Sequence, residues 1–235
     1  MSGFKMKNVF HLLGRCALAT LVTFFLGILL SLPVYWVRSI SGVGGLNLMA
    51  FFIAYLLLIL ILGLINFQLA KERGSLPEFW RVKWVKQKGR LVFMLIVLML
   101  LLVLIHHFGL KEASTVSTRE GAINSFFGEY PILAIIGMCL LGPICEELNY
   151  RSVFYGFMPA DYLMSKMMII IAVVINSLVF SAVHVPSNFE QALYYFVGSS
   201  IFSMGYFISK GDYRVSIAVH SFANTFMFVT GIWTM

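Results

Sequence analysis

The run Gly142–Arg151 (GPICEELNYR) puts two adjacent carboxylates, Glu146 and Glu147, and one guanidinium, Arg151, into an otherwise apolar stretch. A charge at the centre of a membrane helix costs about 2.5 to 3.5 kcal/mol on insertion scales, so such residues face polar surroundings and serve a function. Glu147 and Arg151 are four residues apart, share a helical face, and are expected to form an ion pair. Glu146 is turned about 100° away at 3.6 residues per turn, which leaves it for other partners. Two histidines in later apolar stretches are the candidates, His184 in FSAVH and His220 in HSFAN. Phe180 lies four residues before His184, so its ring can fix the imidazole, and Asn224 lies four after His220, so a carboxamide projects beside that ring.

A carboxylate, two imidazoles and a carboxamide can supply the base and the donors of amide hydrolysis, the chemistry that the resemblance given below implies. A base must activate water, and donors must hold the developing oxyanion. Glu146 is the expected base, because a carboxyl among apolar groups accepts a proton more readily than one in water. One histidine then orients the water with Glu146, while the other joins the Asn224 amide as oxyanion donor; the sequence does not assign them. Glu147, Arg151 and Phe180 are supporting residues. Two histidines and a glutamate also make three zinc ligands. The zinc signature HExxH and the serine elbow GxSxG are both absent, so hydrolysis without metal or cofactor is expected, with zinc the less favoured alternative. Cys145 could act as a thiol nucleophile, but Cys16, Cys139 and Cys145 all sit in apolar surroundings and are expected to pack as small hydrophobes. His11, His106 and His107 fall near the ends of apolar stretches, where snorkelling accounts for them.

The elements that carry these groups are membrane helices. Of 235 residues 60% are apolar and 11% charged, against about 25% charged in soluble domains. That composition excludes a disordered, collagenous, secreted or nucleic-acid-binding domain, although the formal net charge is +7. About seven spans (six to eight) are read, over Cys16–Val37, Val43–Ala70, Leu91–Leu110, Pro131–Phe157, Met167–Val185, Gln191–Ser209 and Val215–Met235. They are continuously apolar and not alternating, so helices and not barrel strands cross the bilayer. The fold expected is an all-α polytopic bundle with a polar intramembrane cavity, one integral domain over 1–235. The first span is too long for a removable signal, whose apolar core has about 7 to 15 residues, and reads as a retained helix.

Lys71–Arg90 holds seven cations and two acids, whereas Lys111–Tyr130 holds two cations and three acids. The basic segment is expected to face the cytoplasm, and Lys5, Lys7 and Arg15 then place the N-terminus there too. Trp80, Val82, Trp84 and Val85 interleave with its cations; this is read as a topology signal with interfacial tryptophans rather than a lipid-binding element. Straight spans conflict with a shared site. Glu146 lies at mid-depth, while His184 and His220 fall towards opposite ends of theirs. A break is therefore expected in Val185–Phe189 (VPSNF), where Pro186 disfavours helix at Val185, with the broken segment lining a wet, narrow pocket.

EELNYR, FSAVH and HSFAN together resemble the EExxxR, FxxxH and HxxxN motifs of the CPBP or Abi family of intramembrane proteases, which includes CAAX endopeptidases. The resemblance runs from Gly142 to Phe226, within a catalytic core of about 131–235, and the first half of the chain has no counterpart in it beyond being helical. It implies a glutamate-dependent peptidase with Glu146, His184, His220 and Asn224 at the catalytic positions, and a peptide or lipidated protein within the bilayer as substrate. Such proteins cut prenylated peptides, confer bacteriocin self-immunity or process peptide signals. A bacterial plasma membrane is the expected setting, and the oligomeric state is left open. Two rivals come from other classes: a non-catalytic scaffold or immunity protein binding a sensor kinase or receptor, and a transporter using the same polar groups as an ion relay.

Overall fold

The computed structural model describes residues 6–39, 44–72, 96–101, 104, 135–158, 166–209 and 211–229. Among them every regular element is a helix. In chain order these are α1 (Met6–Ser39), α2 (Gly44–Glu72), the composite α3, α4 (Lys166–Val183), α5 (Phe189–Ile208) and α6 (Tyr213–Val229), with a further helical stretch over 96–101. Helix α3 changes register along its length: Gly137–Leu141 is π-helical, Gly142–Glu147 α-helical, Leu148–Val153 π-helical again, and Phe154–Gly156 α-helical. The Pro131–Phe157 span was expected as a plain helix; π-helical turns leave no trace in hydrophobic spacing and commonly mark functional sites.

Phe52–Leu69 in α2 and Lys166–Val183 in α4 have the length and apolar character to cross a membrane, and the shorter apolar run Leu13–Leu29 lies in α1. By that measure the structure identifies two of the expected spans. The basic segment after Glu72, the loop Lys111–Tyr130, and His106 and His107 lie outside the described residues.

Helix α1 packs against α2, α3 and α4. Its inward stripe is Cys16, Ala19, Thr23 and Gly27, small residues three or four apart, the spacing that lets membrane helices approach closely. Asn149 Nδ2 donates to Thr23 O at 2.9 Å, and Cys16 Sγ lies 3.7 Å from Met158 Sδ. Helices α4 and α5 form an antiparallel pair joined by Ser181 Oγ to Ala192 O (2.8 Å) and Ser200 Oγ to Ser177 Oγ (3.1 Å). Helix α6 folds back on α5 after a turn through Gly211, whose φ of 92° is open to glycine, and Ser216 Oγ donates to Phe202 O at 2.7 Å. Serine and asparagine carry most of these crossings, as expected where apolar area gives helices no preference for one another over lipid.

The break near Pro186 is present. Helix α4 closes with the bonds His184 N to Ser181 O and Val185 N to Ala182 O, both 3.1 Å. Val185 then turns left-handed at φ 49°, an uncommon conformation for a β-branched residue. Asn188 caps α5 by accepting from Gln191 N at 2.8 Å, and Gln191 Oε1 returns the bond from Ser187 N at 2.6 Å. The expectation that VPSNF lines a narrow interior pocket is corrected, because Val185 is 60% and Phe189 78% exposed. The turn lies on the protein surface, and His184 reaches inward by another route, described below.

A Cβ at Gly27 would clash with the Tyr150 hydroxyl, whereas one at Gly14 meets nothing within 4 Å. Gly27→Ala should destabilise by about 1 to 3 kcal/mol through overpacking, and Gly14→Ala should be neutral or mildly stabilising. Thermal unfolding in detergent reads both; equal midpoints for the two variants would show that α1 does not press on Tyr150.

Candidate active site

Glu146 and Glu147 end the central α-helical part of α3, three and four residues after Pro143. Their side chains point to different places. Glu147 is fully buried, and its Oε2 lies 3.0 Å from Arg151 Nε. Its Oε1 accepts from His220 Nδ1 at 2.8 Å. The pairing with Arg151 was expected; the second bond, between groups 73 residues apart, was not. Glu147 therefore orients an imidazole as well as balancing a guanidinium.

Arg151 is also fully buried. Its Nη2 donates to Ser199 O at 2.7 Å and Ser199 Oγ at 3.0 Å. The guanidinium lies 5.5 Å from the ring centroids of both Phe180 and Phe202, within cation–π range. One turn further along, Tyr155 donates to Ser203 Oγ at 2.9 Å. Ser199 and Ser203, four apart on α5, thus serve Arg151 and Tyr155, four apart on α3.

Glu146 is 15% exposed and faces both histidines: its Oε2 lies 3.7 Å from His220 Nε2 and 3.9 Å from His184 Nε2. The two rings are tied at Nδ1. His184 Nδ1 donates to Phe180 O at 2.7 Å, as it must against a carbonyl, and His220 Nδ1 faces the Glu147 carboxylate. Each ring therefore turns Nε2 to the same oxygen. The bond to Phe180 O also removes the depth conflict, because it folds the His184 ring back one turn along its own helix. A residue just past the end of α4 so reaches a carboxylate in the middle of α3.

Aromatic rings hold both imidazoles. His184 stacks within 4.4 Å of Phe180 and of Tyr195, and His220 stacks on Phe202 at 4.3 Å. Asn224 takes a different place. Its Nδ2 donates to Met138 O at 2.8 Å, on the first π-helical stretch of α3. Cys145 is fully buried in the core formed with Tyr55, Leu62 and Val153, and packs as a small hydrophobe. Among the described residues no group of three or more His, Cys, Asp or Glu side chains is disposed to hold a metal ion.

Ser199, Phe202 and Tyr195 belong to this constellation and were not singled out from the sequence. The spacing of Ser199 and Ser203 is the one available signal, a small-residue pair at helical repeat. The two aromatic residues sit among other apolar residues of α5 and carry none.

Among the described residues two helices are apolar and long enough to cross a membrane, and a partly buried carboxylate–histidine cluster lies between helices. Residues 128–226 match the family model Type II CAAX prenyl endopeptidase Rce1-like, a stretch that contains Glu146, His184, His220 and Asn224. The resemblance to CAAX-protease-like CPBP proteins carried by EELNYR, FSAVH and HSFAN is thus found in the family comparison as well. No curated protein and no solved structure matches the chain.

Arg151→Ala leaves Glu147 buried without its guanidinium, at a cost of about 3 to 5 kcal/mol. Glu147→Gln combined with Arg151→Met removes both charges and should cost much less than the two single changes summed. Thermal midpoints of Glu147→Gln, Arg151→Met and the double variant in detergent test this, and additivity of the singles would show that the pair does not act as a unit.

Proposed function

We propose that the protein is an intramembrane endopeptidase that hydrolyses a peptide bond by water activated at Glu146. The observation that supports this most is the convergence of two histidine Nε2 atoms on one Glu146 oxygen, at 3.7 and 3.9 Å. Those separations exceed a direct hydrogen bond and suit a water shared between the groups. The match to a CAAX prenyl endopeptidase family over the same residues agrees with it.

In this reading the histidines have unequal tasks. His184 gives its Nδ1 hydrogen to a neutral carbonyl, so its Nε2 presents a lone pair to the water and orients it. His220 has a carboxylate behind Nδ1, which accepts that hydrogen and fixes the ring, as an acid behind a histidine does in other hydrolases, and in the reaction the ring carries a second hydrogen on Nε2. Its Nε2–H donates to the oxyanion, joined by the Asn224 amide hydrogen that Met138 O does not use. Glu146 takes a proton from water as the hydroxide adds to the scissile carbonyl. It returns that proton to the amine as the C–N bond breaks and the carbonyl re-forms. Phe180 holds the His184 ring, and Glu147 and Arg151 hold His220.

The substrate in this reading is a membrane-embedded or lipidated peptide, with prenylated C-termini, peptide signals and bacteriocin self-immunity as the settings. The protein is placed in a bacterial plasma membrane as a bundle of about seven spans with its N-terminus cytoplasmic. The rival in which it is a scaffold leaves Glu146 without a task, since Glu147 and Arg151 already balance each other.

Glu146→Gln should lower peptide cleavage about 100- to 10,000-fold, the usual contribution of a general base, with the thermal midpoint retained. The assay is cleavage of a membrane-peptide library, prenylated and unprenylated, by purified protein; full activity in the variant would end the proposal. Activity is also expected to survive chelation, with less than one zinc per chain in the purified protein. Loss on chelation with recovery on adding zinc would instead give Glu146, His184 and His220 ligand roles.

A further inference from the structure

The first π-helical stretch of α3 has an unfinished hydrogen-bond ladder. The Gly142 N–H reaches back five residues to Gly137 O. In the same register the next donor is residue 143, and its acceptor is Met138 O. Residue 143 is proline and has no N–H. The alternative donor four residues on is Gly142, already given to Gly137 O. Met138 O therefore lacks a donor on its own helix, and a backbone carbonyl inside a membrane helix bundle has to be satisfied from elsewhere. The donor comes from α6, where Asn224 Nδ2 lies 2.8 Å away.

We infer that Pro143 is a positioning residue: by withholding one backbone N–H it creates the acceptor that fixes the Asn224 amide, and with it the face of α6 that carries His220. The consequence is geometric. An asparagine amide is planar and two-sided, and only its NH2 end can face a carbonyl. One N–H on Met138 O therefore sets the direction of the other. Helix α6 is then held to α3 at two points four residues apart, His220 on Glu147 Oε1 and Asn224 on Met138 O, both at 2.8 Å. The second attachment exists because the sequence places proline three residues before Glu146.

The inference rests on the proposed peptidase reading only where activity is measured. Pro143→Ala returns the N–H, so α3 can satisfy Met138 O itself and release Asn224. The thermal midpoint in detergent should then stay level or rise, since proline inside a helix is unfavourable. The kcat should fall on the order of 10- to 100-fold with KM little changed, the scale of a misplaced catalytic group. A purely structural proline predicts the opposite pattern, a lower midpoint. The decisive measurement needs no activity. Asn224→Ala should lower the midpoint by about 2 to 4 °C in the wild-type background, as one lost hydrogen bond does in a chain of this size, and by clearly less beside Pro143→Ala. Where Asn224→Ala does not extract as folded protein, the double variant should restore extraction, and Asn224→Leu, similar in shape without a donor, repeats the comparison. An equal loss in both backgrounds, no restored extraction, or a midpoint that falls in Pro143→Ala overturns the inference. Should the wild-type protein cleave no peptide, the peptidase reading fails and the thermal comparison alone decides the role of Pro143.

Discussion

The Glu147 carboxylate is fully buried, and its charge has to be met by partners within the protein. His220 Nδ1 donates to Oε1 at 2.8 Å, and Arg151 Nε stands 3.0 Å from Oε2 as an ion pair without hydrogen-bond geometry. Arg151 then needs acceptors and finds them on Ser199 of α5, while Phe180 of α4 and Phe202 of α5 lie against its guanidinium. His220 needs a flat surface and finds Phe202. Four helices are thus drawn to one charge. Replacing a buried ion pair by apolar residues is often neutral for stability, so the pair is better understood as fixing which arrangement of helices is the native one. Lipid-facing side chains cannot make that choice, because each finds equivalent surroundings in the bilayer.

The Glu146 and Glu147 dyad shows how adjacency in sequence produces different environments. One residue of helical rotation separates a carboxylate enclosed by hydrogen donors from one turned to a partly open space between two imidazoles. The surrounding chemistry is assigned by the same small rotation. His220 is bound at Nδ1 by a charged partner and His184 by a neutral one, although both present Nε2 to the same oxygen. The unequal partners, rather than the rings themselves, distinguish their parts in the proposed reaction.

What could be read from the residues alone was whatever depends on short spacing. The helical character, the pairing of Glu147 with Arg151 at four residues, the ring of Phe180 beside His184 and the chain break at Pro186 all follow from neighbours along the chain. The contacts that complete the site join distant positions: His220 to Glu147, Asn224 to Met138, Arg151 to Ser199. No periodic pattern encodes them, since serine and asparagine at a helix crossing look the same in sequence whichever carbonyl they meet. The π-helical stretches were equally hidden, because a change of register alters which backbone atoms pair without altering which side chains are apolar. The depth argument located the break correctly and misjudged its surroundings. It treated His184 as fixed to the height of its Cα, whereas the imidazole is carried back along α4 by the carbonyl of Phe180.

His184 stands one residue beyond the last residue of α4, and most of the ties that hold it there belong to the final turn: its own N–H on Ser181 O, its ring on Phe180 O, and the left-handed Val185 that follows, with Tyr195 of α5 against the ring. Helix ends fray far more cheaply than a domain unfolds, and such openings span the whole range up to the global free energy. The cluster around Glu146 is consequently assembled from parts unequally held: His220 is anchored from the interior, while His184 belongs to a helix terminus. Warming the protein should therefore dissolve the meeting of the three groups well before the bundle melts, so that the working temperature limit of the site is set by one turn of one helix.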